Sequence, residues 1–189
     1  RYDRIRLQWK TQKTNSMKDS TGMILTQSAA EITINKNKGE KPSWKAHEHQ
    51  QLAMEKLSNA AEKNEGLRGL LVFPTGGGKT ATAVHWILQN VVDKGGKVIW
   101  LAHRHELLEQ VKSELPNHAF SQFLPNQTPI HFQLVSGYGK HDKAREIRSE
   151  TNFLIASKDS LGQTGREHLE ERLLNQGCPI LLVVDEAHH

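Results

Sequence analysis

The residues whose types and spacing most clearly suggest a chemical role are three consecutive glycines followed by a lysine and a threonine. Glycines let the backbone turn tightly and bring its N–H groups close to an anion, because no Cβ atom stands in the way. The lysine can reach the β- and γ-phosphates of a nucleotide, and the threonine hydroxyl can ligate a magnesium ion. The sequence therefore predicts a phosphate-binding loop. It comprises Thr75, Gly76, Gly77, Gly78, Lys79 and Thr80.

The residues on both sides of the glycines favour a nucleotide-binding loop over an ordinary turn. The apolar run from Leu70 to Phe73 predicts a strand that is buried on both faces of a parallel sheet. After the loop, apolar residues recur at helical spacing, and this helix would point its positive end at the phosphates. They are Val84, Ile87, Leu88 and Val91. Phe73 stands where the general phosphate-loop pattern has a glycine. The last five residues of the motif, Gly76 to Thr80, can still bind phosphate as described.

Two acids follow a second apolar run near the other end of the chain. Asp185 and Glu186 come directly after Ile180 to Val184, which predicts a buried strand. An open parallel sheet binds its ligand at the carboxyl ends of its strands, so we expect these acids beside the glycine loop. Asp185 suits a magnesium contact, and Glu186 suits a base that orients and deprotonates an attacking water. The alternative is a solvated acidic turn that caps a core strand.

Both segments resemble helicase motifs. FPTGGGKT followed by VVDEAHH resembles motifs I and II of superfamily 2 helicases and translocases of the DEAH type. The double histidine and the segment VIWLAHRHELLEQ are similar to the motor subunits of type I and type III restriction enzymes and related bacterial defence proteins. The resemblance covers about Trp44 to His189.

This resemblance implies a fold, an activity and partners. Strands that alternate with helices predict an α/β fold with a parallel sheet flanked by helices, and the resemblance makes it a RecA-like P-loop NTPase domain. The implied activity is hydrolysis of ATP with Mg²⁺, coupled to movement on DNA, with Lys79, Asp185 and Glu186 as catalytic residues. The implied partners are a second RecA-like domain in the same chain and a nuclease or antiviral defence complex. An RNA helicase, or a nucleotide-gated signalling ATPase without translocation, remains an alternative.

The segment KAHEHQQLA resembles the adenine-binding glutamine motif of the superfamily. In that interpretation Gln50 hydrogen-bonds the adenine edge, and Trp44 or His47 stacks on the base. The alternative is that Gln50 is a surface glutamine. We expect His47 and His49 to be surface residues and not a pair of metal ligands, because side chains two positions apart do not share a helix face.

Nucleic-acid contacts are implied after two further strands. His103 and Arg104 follow the predicted strand Val98 to Ala102 and resemble motif Ia, where Arg104 would neutralise a phosphate of any sequence. Ser157 and Lys158 follow another predicted strand and resemble motif Ib, in which the family usually has threonine at the first position.

A glycine-flanked tyrosine stands in the place of the family's glycine motif. Tyr138 lies between Gly137 and Gly139, and Lys140 follows. The tyrosine could lie against a sugar-phosphate backbone, but an ordinary glycine turn explains the same residues. The sequence leaves both interpretations open.

Composition is typical of a globular protein that can bind nucleic acid. The 189 residues are 36% hydrophobic and 24% charged, with a net charge of +4, which permits binding to nucleic acid without requiring it. No stretch approaches the roughly 20 apolar residues that span a bilayer. The single Cys178 excludes an internal disulfide and favours a cytoplasmic location.

The first 43 residues are polar, and we interpret residues 1–43 as a linker or the tail of a preceding domain. Residues 44–189 would form the N-terminal part of the first RecA-like domain. In the family's fold the motif III strand lies between the strands that precede Lys79 and Asp185, and here it would follow His189. We therefore expect the natural protein to continue, because an empty position in mid-sheet leaves backbone groups unpaired.

Overall fold

The structure, a computed structural model, describes residues 2–10, 28–34, 42, 44–63 and 67–185. These residues form one sheet of seven strands with helices packed against it. The strands are β1 (Tyr2–Lys10), β2 (Ala29–Ile32), β3 (Arg68–Pro74), β4 (Lys97–Ala102), β5 (Ile130–Val135), β6 (Phe153–Ser157) and β7 (Ile180–Asp185). The helices are α1 (Glu48–Lys63), α2 (Lys79–Ile87), α3 (His105–His118) and α4 (Gln163–Arg172). The shorter helical segments are a π-helix, Leu88–Val92, and the 3₁₀ turns Ala144–Glu146, Lys158–Leu161 and Leu174–Gln176.

The sheet is mostly parallel, in the strand order β2-β5-β6-β4-β7-β1-β3. Strands β5, β6, β4 and β7 pair in parallel, and β3 points the same way because β3 and β7 are both antiparallel to β1. Five strands therefore bring their carboxyl ends to one edge of the sheet, which we call the carboxyl edge. This arrangement confirms the predicted α/β fold class. No helix among the described residues combines the length and apolarity that a bilayer crossing requires.

Alternating residues of the central strands fill two hydrophobic cores. Val98 and Trp100 of β4 pack on one face with α2 and α3, whereas Ile99 packs on the other face with Leu169 of α4. Strands β4, β6 and β7 are apolar except at their ends because both of their faces are covered. The two layers of helices hold the sheet in place, and thereby the loops at the carboxyl edge.

The first strand corrects two predictions. β1 lies between β7 and β3, antiparallel to both, and the backbone of Ile5 pairs with Leu71 on one side and Asp185 on the other. The linker interpretation is therefore wrong for residues 2–10, and the expected empty position in mid-sheet is filled. The sequence carries a strand signal that the charges obscured, since Ile5, Leu7 and Trp9 alternate with polar residues.

The polar N-terminal segment contributes a second strand as well. β2 pairs antiparallel with β5 at the far end of the sheet, where Ala29 and Ile34 are buried. The linker interpretation is wrong for this piece too. The rest of the segment, residues 1, 11–27, 35–41 and 43, lies outside the described residues.

Strand β3 also differs from its prediction. Leu71 and Phe73 are buried in the core beside α2, but Leu70 is 54% and Val72 is 42% exposed. The apolar run therefore does not mark a strand buried on both faces. β3 is the last strand of the described sheet, and the alternating residues of its second face point to solvent.

Candidate functional site

The glycine loop has the geometry that its residues predict. Gly76 and Gly78 have φ angles of 79° and 75°, in the left-handed region that favours glycine. The N–H of Gly77 donates to the carbonyl of Pro74 at 2.9 Å, and a Cβ on Gly77 would stand 2.9 Å from that same oxygen. The loop thus needs glycine at all three positions. It carries the chain directly from the end of β3 into the first turn of α2.

Lys79 and Asp185 meet in this site. The Lys79 Nζ atom donates to Asp185 Oδ1 at 2.9 Å, and the side chains are 8% and 2% exposed. Thr80, next in α2, is also buried. The structure therefore brings a predicted phosphate ligand, a predicted magnesium ligand and a hydroxyl to one end of α2. A carboxylate and a hydroxyl are oxygen donors of the kind that Mg²⁺ prefers, so these residues fit a magnesium–nucleotide complex.

Gln50 is part of the same site and is not a surface residue. Its side chain is buried, its Nε2 donates to the carbonyl of Gly77 at 3.2 Å, and its Oε1 accepts from the N–H of His47 at 2.9 Å. A Cβ on Gly78 would collide with the same amide. Gln50 therefore joins the start of α1 to the glycine loop. His47 and His49 are exposed, as predicted, and His49 Nε2 lies 3.2 Å from the carbonyl of Gly77.

Trp44 belongs to a cluster that the sequence did not reveal. Its ring packs against His85 of α2 at 4.3 Å and His118 of α3 at 4.8 Å between centroids. The two imidazoles are buried, with their Nδ1 atoms 3.2 Å apart. Burial lowers the pKa of His85 to about 4. Burial, and secondarily the charge of His85, lower the pKa of His118 to about 3.

The predicted nucleic-acid residues lie at the carboxyl edge. Arg104 is exposed and extended just before α3, and Lys158 is exposed just after β6. Because β4 and β6 are neighbouring parallel strands, the segments that hold His103, Arg104 and Lys158 follow adjacent strand ends. Ser157 differs, because its hydroxyl is buried, accepts from the N–H of Ser160 at 3.3 Å and lies 2.6 Å from the Ser160 hydroxyl. That hydroxyl caps the 3₁₀ turn that begins at Lys158.

The loop after β5 is organised by a chain of hydrogen bonds that the sequence did not indicate. His141 Nδ1 lies 2.5 Å from the Ser136 hydroxyl, and His141 Nε2 lies 2.9 Å from Glu109 Oε1 of α3. Burial would raise the pKa of Glu109, but hydrogen bonds from His141 and Lys112 outweigh it and hold this pKa below its usual value.

This chain of serine, histidine and glutamate does not form a nucleophilic triad. Ser136 is 1% exposed, and its oxygen also accepts the N–H of Tyr138 at 3.0 Å. A nucleophile needs an oxygen that substrate can reach. The hydrogen bonds therefore serve to hold the loop that carries Tyr138.

Glu186 and residues 187–189 lie outside the described residues. The role predicted for Glu186, and the second half of the acidic motif, remain predictions. Asp185, the last described residue, ends β7 at the carboxyl edge.

The fold and this site define a P-loop domain, in which a glycine loop joins β3 to α2 and a buried lysine meets the aspartate at the end of β7. The family model described as "Type III restriction enzyme, res subunit" matches residues 43–189, and the chain belongs to this family. The family is helicase-like, so the predicted superfamily is confirmed. No curated protein and no solved structure matched the chain.

Proposed function

We propose that this chain is the first RecA-like domain of an ATP-driven motor that moves along DNA within a larger restriction or antiviral defence protein. The observation that carries the proposal is the 2.9 Å contact between Lys79 and Asp185, which joins the two motifs that a nucleotide-hydrolysing site requires. The family match supports it, because a restriction-enzyme Res subunit is helicase-like. The DEAH subtype is part of the proposal.

Different residues of the site would bind the phosphates and the magnesium ion of the nucleotide. The backbone N–H groups of Gly76 to Gly78 and the positive end of α2 attract the phosphates. Lys79, which donates to Asp185 in the structure, would donate to a phosphate oxygen, and the Asp185 carboxylate would then be available to hold a cation. Thr80 and Asp185 would hold Mg²⁺, which neutralises the charge that develops on the phosphates.

Hydrolysis needs a general base, and coupling of hydrolysis to movement needs residues that bind the nucleic acid. Glu186 follows Asp185 directly in the chain, and we assign to it the orientation and deprotonation of the attacking water. Arg104 and Lys158 grip phosphates of the track at the carboxyl edge, beside His103, while Ser157 shapes the turn that presents Lys158. Turnover should be slow until a second RecA-like domain closes and supplies an arginine finger, which is worth about 10³ to 10⁵ in rate.

The decisive experiment is the ATPase rate of the full-length protein during titration with single-stranded DNA, double-stranded DNA and RNA at fixed low salt. We expect stimulation of about tenfold or more by DNA, which corresponds to about 1.4 kcal/mol of barrier. Lys79→Ala should remove the activity under every condition, and Glu186→Gln should retain ATP binding but stop turnover. Stimulation by RNA alone would identify an RNA motor, and no stimulation by any strand would favour a nucleotide-gated module.

A further inference from the structure

Three aromatic side chains form a surface group at the carboxyl edge. The ring of Tyr138 lies 5.2 Å from the ring of His105, tilted by 36°, and 5.2 Å from the ring of His141, nearly edge-on. We call these three residues the aromatic platform. Tyr138 is 46% exposed, so part of its ring is in contact with solvent while the two histidines support the rest.

The loop that carries the ring is held in place by hydrogen bonds. The N–H of Tyr138 donates to the Ser136 hydroxyl, its carbonyl accepts from the N–H of His141 at 2.9 Å, and His141 is anchored to Glu109. A ring that is fixed before binding loses little conformational entropy when a ligand stacks on it. The hydrogen bonds of the loop thus have a consequence beyond folding, because they fix an exposed aromatic surface.

The space and the charge around the ring suit a flat anionic chain. A Cβ on Gly137 or on Gly139 would meet no heavy atom within 4 Å, so the backbone on both sides of Tyr138 borders open space. Lys140 is exposed immediately after the loop, and Arg104 precedes the supporting His105. Cations beside an exposed ring are the combination with which proteins bind single strands.

We propose that Tyr138 stacks on one unpaired nucleobase of the track, with His105 and His141 as positioning residues. This inference rests on the proposed function and adds a substrate class to it, namely a strand that is single-stranded where it passes the carboxyl edge. A base inside a duplex has both faces covered by its neighbours and offers no face to the ring. Phosphate contacts by Arg104 and Lys158 act on any backbone, whereas the aromatic platform requires an exposed base.

The test compares two strands that differ only in their bases. Dissociation constants are measured by fluorescence anisotropy for a labelled oligothymidylate and for the same strand with abasic sites, using the full-length protein. Tyr138→Ala should weaken binding of the oligothymidylate about tenfold and leave binding of the abasic strand unchanged. Tyr138→Phe keeps the ring and should bind both strands like the parent. An oligouridylate arm shows whether RNA bases are accepted as well.

Lys140→Ala is the matched control on the same loop. It should weaken both strands equally and lower the salt dependence of binding by about one unit of slope. An equal effect of Tyr138→Ala on both strands, or no effect on either, would overturn the stacking inference. If the parent protein binds no strand and its ATPase responds to none, the proposed function itself fails, so the two failures are distinguishable.

Discussion

At the scale of single residues, the Lys79–Asp185 pair holds two opposite charges that are both largely buried. Burial of a charge is costly unless a partner compensates it, so the ion pair stabilises both residues. The ammonium group that would bind a phosphate therefore also stabilises the buried carboxylate. Asp185 has this electrostatic role in the fold beside its proposed role with magnesium.

This dependence predicts a strong coupling between the two residues. Asp185→Asn should lower the free energy of unfolding by about 3 kcal/mol, because it leaves a buried ammonium without its counter-charge. Lys79→Met should also be costly, because it removes the ion pair of a buried carboxylate. The double variant should be more stable than the sum of the two losses implies, and urea unfolding of all four proteins measures the coupling. Additive losses would show that the pair contributes no mutual stabilisation.

Gln50 offers a second prediction at this scale. Because its amide holds the carbonyl of Gly77, Gln50→Ala should weaken nucleotide binding, on the order of tenfold for one buried hydrogen bond lost. If Gln50 also reads adenine, the variant loses preference for ATP over GTP. Calorimetric titration with both nucleotides separates these effects. An equal loss for ATP and GTP would restrict Gln50 to supporting the loop.

At the scale of elements, the cluster of Trp44, His85 and His118 joins the segment before α1 to α2 and α3. Glu114 Oε2 lies 3.6 Å from His118 Nε2 and would favour a charged ring, but burial outweighs it and lowers the pKa. Two neutral imidazoles therefore lie in the interface between the helix of the phosphate loop and its neighbour.

The lowered pKa values predict a loss of stability in acid. Above pH 6.5 the histidines are neutral in both states, and their contribution to stability is fully present. As pH falls below that value the unfolded state binds protons that the folded state resists, so the free energy of unfolding declines by up to about 1.4 kcal/mol per pH unit for each histidine. The decline should continue to about pH 4 for His85 and about pH 3 for His118.

Urea unfolding at a series of pH values measures this effect. His118→Gln should flatten the pH dependence, since one of the two buried imidazoles is removed. His49→Gln, a change at an exposed histidine, is the matched control and should leave the slope as it is in the parent. Equal slopes in the parent and in His118→Gln would contradict the assignment.

At the scale of the whole molecule, the carboxyl edge gathers the ends of all five co-directional strands. Nucleotide residues lie at the β3 and β7 end of this edge, and cationic residues follow β4 and β6. The arrangement predicts that Arg104→Ala and Lys158→Ala each weaken nucleic-acid binding uniformly across sequences. Each should also reduce the salt slope by about one.

A filter-binding or anisotropy titration over a range of salt concentrations measures both quantities. Lys94→Ala is the control, because Lys94 is exposed near the amino end of β4, at the opposite edge. Ser157→Ala should reduce stability through loss of its cap without changing the salt slope. If none of the cationic variants changes the salt slope, the carboxyl edge does not bind the nucleic acid.

What the sequence could predict depended on how local the cause was. The glycine loop, the strand before it and the helix after it were predictable, because backbone geometry and residue type determine one another over a few positions. The exposure of Leu70 and Val72 was not predictable, since it depends on which strand ends the sheet. The cluster around His85 and the contact between Tyr138 and His105 join distant segments, and no local sequence pattern predicts such contacts.

The place of β1 has one more consequence. Neighbouring strands are about 4.8 Å apart, so one inserted strand separates β3 from β7 by roughly twice that distance, and the aspartate stays within reach of a lysine side chain. β1 thus sets the distance between β3 and β7 across the sheet. This distance depends on the spacing between strands, which is the same for any strand, whatever its sequence or direction. The spacing of the nucleotide site is therefore set by the fact that the position is filled, and the identity of the strand that fills it is a separate matter.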